Sequence, residues 1–361
     1  DRKVLRYVGK KYITARREMG FLVPSKGFEY ATIKGHKCAI VVGDDLSREH
    51  DFDKSVETVI SINARKYGRG TMTYRYEMMR HLSFVEGKNL VLVNQVGGST
   101  DIVYDGTSGA FNNRGELVLM MKNFEEDFQI FDTKASARPI TIPSTYNDRT
   151  RMVYQAARCG LRDFFVKNGY KKACIGLSGG IDSAVVACLA ADALGRQNIR
   201  ALLLPSQFSS DHSVEDAKKL AENLGIEYNV IPITEIYTSV VNTLKPVIGG
   251  REFDATEENI QTRIRTVLLM AVQNKADYIL LNSSNKSENA LGLCTLYGDT
   301  AGAFSPTRAR CTTWHATSTA RRATRSRAIS STRNPRRSCT RGRRTATSCR
   351  RTRWWTRSFT A

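Results

Sequence analysis

Ala173-Cys174-Ile175-Gly176-Leu177-Ser178-Gly179-Gly180-Ile181-Asp182-Ser183 runs from a buried strand through a glycine pair into a helix. The strand is Ala173–Leu177; the helix is Ala184–Leu194, apolar on nearly every side until Gly195 stops it. Glycines at such a junction let backbone N–H groups approach an anion closely, and the helix N-terminus adds positive potential. Asp182 works against that anion unless a cation stands between them, so it reads as a magnesium ligand. A helix cap is the plainer role for the same residue. The loop lacks the Gly-Lys-Ser/Thr ending of γ-phosphate-transfer loops. It fits a loop that grips pyrophosphate while a nucleotide is cleaved between its α and β phosphates.

Working outward, strands alternate with helices from Ala173 to Asn282. Ile199–Pro205 reads as a buried strand and Ser213–Leu224 as a helix, with Ser213 and Asp216 suited to a capping box. Glu227–Ile233 is a further strand, Glu257 to about Gln273 an amphipathic helix, and Tyr278–Asn282 another strand. That order predicts an α/β fold: a parallel sheet wrapped by helices, with ligands at the carboxyl ends of its strands.

The first 130 or so residues predict a second α/β domain. Lys37–Val42, Asn89–Val93 and Gly115–Met121 read as strands, and Glu57 to about Lys66 as a helix. Turn signals at Gly97-Gly98, Asp105-Gly106 and Asn112-Asn113 separate them. The Pro-, Ser- and Thr-containing stretch Thr133–Tyr146 reads as the linker.

A formal charge of +20 on 361 residues looks like a nucleic-acid binder. Its distribution argues otherwise. Residues 307–361 hold sixteen Arg and no Lys, Asp or Glu, which leaves +4 of the +20 on the first 306 residues. The same stretch has no Leu, Val or Met, so it offers no apolar period and is expected to be disordered. A shifted reading frame explains it better than an RNA-binding tail. Moving the frame so that wobble bases become first bases permits YNVARYIN over Cys311–Thr319, and both this and the comparable string over Thr345–Thr360 look like folded protein. The eight cysteines show no Cys-x-x-Cys spacing, so neither a zinc site nor a disulfide framework is indicated, and Cys174 and Cys188 read as core. With no secretory signal and no apolar run of spanning length, a reducing cytoplasm is expected and a membrane partner is not. Asp1 stands where a methionine would, so the chain is expected to be a fragment.

Four further stretches carry chemistry: Pro205-Ser206-Gln207-Phe208-Ser209-Ser210, Glu258-Asn259-Ile260-Gln261-Thr262-Arg263-Ile264-Arg265, Asn285-Lys286-Ser287-Glu288 and Thr295-Leu296-Tyr297-Gly298-Asp299. Asn259 and Arg263 fall on one helical face at i, i+4. Together with Ser178–Ser183 these segments resemble, in order, the NAD synthetases of the adenine-nucleotide α-hydrolase group. The first motif alone is shared with GMP synthetases, argininosuccinate synthetases and tRNA-modifying enzymes; the other segments narrow the choice. The resemblance implies a Rossmann-like, doubly wound parallel sheet over 151–306. It also implies that ATP, with Mg²⁺, adenylates the carboxylate of nicotinic acid adenine dinucleotide, and that ammonia then displaces AMP. On that reading Asp182 and Glu288 hold Mg²⁺. Ser178, Gly179, Gly180 and Ser183 take pyrophosphate, Arg263 and Lys286 face phosphates or substrate, and Asn259, Thr295 and Asp299 line the substrate site.

Residues 93–117, VNQVGGSTDIVYDGTSGAFNNRGEL, resemble the carbon–nitrogen hydrolase (nitrilase-like) glutaminase module of the longer, glutamine-dependent NAD synthetases. The resemblance makes 1–132 a partial domain of that kind, 133–150 the linker and 307–361 the out-of-frame tail. The family releases ammonia from glutamine with a Glu-Lys-Cys triad. Lys10 falls where its lysine belongs, with Lys11 as the neighbouring register. The glutamate would precede Asp1. The nucleophile position, in Gly43-Asp44-Asp45, holds a glycine, which has no nucleophile; Cys38 lies five residues early and reads as core. Loss of glutaminase activity is therefore expected, with free ammonia as the nitrogen source. Family members commonly pair, so a homo-oligomer is expected. The competing readings are another adenylating amide ligase such as GMP synthetase, a nucleic-acid binder acting through the basic tail, and an inactive product that keeps its domain folds.

Overall fold

A computed structural model describes residues 7–13, 19–47, 51–68, 70–99, 102–133, 138–249 and 251–306. The expected tail over 307–361 lies outside them. The chain divides into two compact units, Asp1–Phe164 and Phe165–Ala361.

In the first unit β1 (Glu29–Ile33), β2 (His36–Val42), β3 (Thr58–Asn63) and β4 (Asn89–Asn94) join β7 (Gly109–Phe111) and β8 (Leu117–Met120) in one sheet, ordered β1-β2-β3-β4-β7-β8. Only β2, β3 and β4 run parallel. The hairpin β5 (Val96–Ser99) with β6 (Ile102–Asp105) is separate. Helix α1 (Thr71–Glu86) and the sheet share a core that includes Val41, Val59, Tyr76, Met79, Leu90, Leu92 and Phe111.

One expectation fails here. The segment read as a helix over 57–66 is strand β3: Thr58-Val59-Ile60-Ser61-Ile62-Asn63 is rich in β-branched residues, which suit a pleated surface flanked by β2 and β4. The stretch read as a linker is in part tied down. The Ile140 N–H donates to the Leu117 carbonyl at 2.7 Å, and Ile142 packs on the core of this unit. Arg75 and Asp105 form a fully buried ion pair, bidentate at 3.1 Å for each contact, and the Asn94 amide also donates to Asp105 at 3.0 Å.

Helix α2 (Arg149–Lys167) leads into the second unit. There β9 (Ala173–Gly176), α3 (Ile181–Leu194), β10 (Ile199–Leu203), α4 (Asp211–Leu224) and β11 (Glu227–Val230) alternate as expected. Two helices follow, α5 (Thr234–Ile248) and α6 (Ala255–Ala276), then β12 (Ile279–Leu280) and α7 (Lys286–Leu291). The four strands are parallel in the order β11-β10-β9-β12. Succession therefore reverses direction between β9 and β12, the place where open α/β sheets bind ligands.

Side-chain caps start α4, α6 and α7. The capping box placed at Ser213 and Asp216 is instead a cap by Ser210, whose extended backbone lets its side chain accept from the Ser213 N–H. Helix α6 begins at a capping box of Asp254 and Glu257, so it starts two residues before the expected 257, and it runs on to Ala276. Cys174 and Cys188 are core, and burial pushes both thiols up to about 12. Among the described residues no helix is long and apolar enough to cross a membrane.

Candidate active site

Leu177 ends the strand segment of β9, and Ser178–Gly180 turns the chain into α3 at the β9/β12 edge. Gly179 has φ +80°, and a Cβ there would stand 2.2 Å from the Ser213 carbonyl oxygen, so the loop sits directly on the first turn of α4. Ser178 and Ser183 hold the loop's shape. The Ser183 hydroxyl accepts from the Ser178 N–H at 3.2 Å and donates to the Gly180 carbonyl at 3.1 Å, while the Ser178 hydroxyl accepts from the Gly180 N–H at 3.2 Å. Ser183 is buried by this role. The first-turn N–H groups of α3 have no carbonyl one turn earlier to bond, which makes the loop a place for an anion.

Asp182 is not the cap of α3: that position belongs to Gly180. Its Oδ1 accepts instead from the Asn285 side-chain amide at 3.3 Å, across 103 residues of sequence. Asn285 caps α7, accepting from the Ser287 and Glu288 N–H groups at 2.9 Å each, and its own N–H donates to Glu288 Oε2 at 3.0 Å. The structure thus gathers Asp182 and Glu288 around one amide.

The donor chemistry fits Mg²⁺. Both groups are half-buried carboxylates, and this ion takes one or two carboxylates plus waters and phosphate oxygens. Among the described residues no group of three or more His, Cys, Asp or Glu could hold a metal by itself. The neighbourhood is negative: burial and the Asp299 and Glu288 carboxylates push the Cys294 thiol up.

The other expected residues form a second cluster on the same strand end. The Thr295 hydroxyl donates to Asn259 Oδ1 at 2.8 Å, and its N–H donates to Asp299 Oδ1 at 2.7 Å. Arg263 reaches the same loop, its Nε donating to the Leu296 carbonyl at 3.1 Å. Asn259 and Arg263 therefore do share a face of α6. Lys286 is exposed at the first position of α7.

Several residues that hold these parts in place have no distinct signature in the sequence. The Asn282 amide donates to the Asp299 and Ala301 carbonyls at 2.8 Å each, and the Ser284 hydroxyl donates to the Asp299 carbonyl at 2.9 Å. Gln261, fully buried, accepts from the Ser206 hydroxyl at 2.9 Å and so fixes the segment after β10. Arg265 donates to the Leu204 carbonyl at 2.9 Å from the same helix. Asn282 and Gln261 lie within stretches already singled out, and polar residues amid apolar neighbours were the available signal.

The chain as a whole resembles known proteins. The NAD synthase family matches residues 153–324. A glutamine-dependent NAD(+) synthetase of Aquifex aeolicus is 36% identical over 320 residues, covering 78% of this chain and 56% of that protein. One from a Synechocystis species is 37% identical over 292 residues, covering 76% and 52%.

The chain belongs to the NAD synthase family.

It spans about half the length of the relatives it matches. The fold agrees with a solved glutamine-dependent NAD+ synthetase from Acinetobacter baumannii in complex with ADP, at a TM-score of 0.76 and 31% identity, over 86% of this chain and 62% of that one. This synthetase-family fold bears out a Rossmann-like sheet preceded by a further α/β unit.

In the first unit the structure brings Lys10 and Gly43 together. Gly43, at the end of β2, has φ +65°, and Lys10 stands over it: a Cβ at Gly43 would meet Lys10 Cε at 3.2 Å and Nζ at 3.3 Å. Lys11 points elsewhere, its ammonium 4.3 Å from the centre of the Phe28 ring. The register is fixed by buried Asp45, whose two carboxylate oxygens accept from the Lys11 and Tyr12 N–H groups at 2.7 and 2.8 Å. Cys38 is buried within β2, and burial raises its thiol.

Proposed function

We propose that this chain is a carbon–nitrogen ligase that amidates nicotinic acid adenine dinucleotide to NAD+, using ATP and Mg²⁺ and releasing AMP and pyrophosphate. The observation that carries the reading is the convergence of the Ser178–Ser183 loop with Asp182, Asn285 and Glu288 at the β9/β12 edge. A carboxylate is a poor electrophile, and adenylation supplies a leaving group.

The departing pyrophosphate gathers charge, which the Gly179 N–H and the first-turn N–H groups of α3 are placed to stabilise. Asp182 and Glu288 would hold Mg²⁺, which supplies neutralisation of phosphate charge. Lys286 and Arg263 add positive charge facing phosphates or substrate, while Asn259, Thr295 and Asp299 line the dinucleotide side. Ser178 and Ser183 keep the loop in one conformation so that no ordering is needed at the moment of reaction.

Nitrogen enters as free ammonia. Gly43 has no side chain to attack glutamine, so Lys10 has no nucleophile to serve, and the first unit acts as a scaffold. We place the protein in the cytoplasm as a homo-oligomer, without membrane or nucleic-acid partners. The domain reading is a nitrilase-like segment over 1–132, a linker over 133–150 and a synthetase domain over 151–306.

The test supplies ATP, Mg²⁺, nicotinic acid adenine dinucleotide and either ammonia or glutamine. NAD+ and pyrophosphate are expected with ammonia, and no glutamate from glutamine. A folded preparation that makes no NAD+ with ammonia refutes the ligase reading; clear glutamate release refutes the scaffold reading.

A further inference from the structure

We propose that Asn285 is a positioning residue that sets Asp182 and Glu288 in register for one divalent cation. The proposal rests on the reading of those two carboxylates as Mg²⁺ ligands. Asp182 lies in the first turn of α3, after β9, and Glu288 in the first turn of α7, after β12. The strands are neighbours, but nothing in strand pairing dictates how the two side chains face each other.

Asn285 supplies that link with its side-chain amide and its backbone N–H. Its Oδ1 accepts from the Ser287 and Glu288 N–H groups, its backbone N–H donates to Glu288 Oε2, and its Nδ2 donates to Asp182 Oδ1. Capping alone does not call for asparagine, since Ser, Thr or Asp does that work equally well. What asparagine adds is a donor and an acceptor on one rigid plane. The donor is also neutral. A lysine or arginine at this point would orient Asp182 and cancel its charge, whereas the amide orients both carboxylates and leaves their two negative charges for the cation.

Outer partners of metal ligands act in this way, and losing one costs about 10–100-fold in metal affinity. The substitution that separates the two roles is Asn285→Ser. Serine three residues before Glu288 completes the Ser-x-x-Glu capping box, so α7 keeps its start. Its hydroxyl is one bond shorter than the amide and cannot span to Asp182.

Mn²⁺ is the probe, titrated in the presence of ATP into the full chain and followed by the loss of its free EPR signal. Asp182→Asn and Glu288→Gln run alongside, with thermal unfolding of each. The expected result is an Asn285→Ser protein with unchanged unfolding temperature and a half-saturating Mn²⁺ concentration raised about tenfold. Asn285→Thr, which also caps, should match it and serves if the serine variant is unstable. Wild-type Mn²⁺ affinity in both capping variants, with weakened binding in Asp182→Asn and Glu288→Gln, overturns the positioning role and leaves the metal reading standing. Unchanged binding in all four variants overturns both.

Discussion

Gly179 and Ser213 are in direct contact: the loop backbone at Gly179 lies so close to the first turn of α4 that a Cβ would stand 2.2 Å from the Ser213 carbonyl oxygen. The Ser178–Gly180 loop is therefore shaped by α4 as much as by its own strand and helix. Gly179→Ala meets two penalties, a left-handed φ of +80° worth about 1 kcal/mol and an overlap with backbone that cannot swing away. The expected outcome is a lower denaturant midpoint and a loss of about 100-fold in pyrophosphate release, since displacement by an ångström is enough for that. Gly180→Ala is the control. Its backbone is extended, and the nearest atom to its Cβ is Ser178 Oγ at 3.3 Å, so its stability should stay near wild type.

A thiol placed at position 43 would report on Lys10. Gly43→Cys puts sulfur beside the Lys10 ammonium, whose Nζ lies 3.3 Å from the Cβ position. A nearby cation favours the thiolate, so the new cysteine should have a depressed pKa and react quickly with iodoacetamide. Cys294, whose thiol is pushed the other way by burial and two carboxylates, is the internal comparison. Adding Lys10→Met should slow alkylation at position 43 by about tenfold, one unit of pKa near neutral pH. Equal rates with and without Lys10 would show that the ammonium does not reach the sulfur. The left-handed φ should cost this variant about 1 kcal/mol.

Gln261 connects α6 to the segment after β10 through a buried bond to Ser206. Gln261→Leu keeps the volume but removes the buried acceptor of the Ser206 hydroxyl, which retains only the Phe208 N–H at 3.3 Å and the Ser209 hydroxyl at 3.5 Å. A loss of about 1–3 kcal/mol is expected in urea unfolding, together with a raised KM for ATP if the Ser206–Ser210 segment borders the nucleotide. A stability loss with unchanged KM would make Gln261 a packing residue only.

Arg75 and Asp105 place a buried ion pair in the first unit. Both are fully buried, and Arg75 Nε has no hydrogen-bond partner. Arg75→Met leaves a buried carboxylate with the Asn94 amide for company, and should cost about 3–5 kcal/mol. Arg75→Met with Asp105→Asn removes both charges and should recover part of that loss, measured as the midpoint of chemical unfolding. A double variant no better than the single would mean that the shape of the pair, not its charge, is what the core requires.

The parts of this protein that depend on near neighbours were legible in its sequence. The glycine pair between an apolar strand and an apolar helix announced the Ser178–Ser183 loop, and strict alternation announced the parallel sheet. Asn259 and Arg263 were placed on one face by helical period alone. Local signals failed where composition was ambiguous. The helix expected over 57–66 ignores the β-branched residues of Thr58–Asn63, which favour a strand; α1 hides its period behind a buried arginine, and α5 contains three Thr and Pro246.

Only the tertiary structure decided which distant groups meet. Sheet order sets β12 beside β9, and that placement brings Asn285 to Asp182 over 103 residues. The buried Asp45 carboxylate, by fixing the backbone at Lys11 and Tyr12, decides that Lys10 and not Lys11 covers Gly43. Sequence period reaches a turn or two along the chain. The energy that selects one long-range pairing over another comes from burying polar groups only where partners await them, and that is settled when the sheet is assembled.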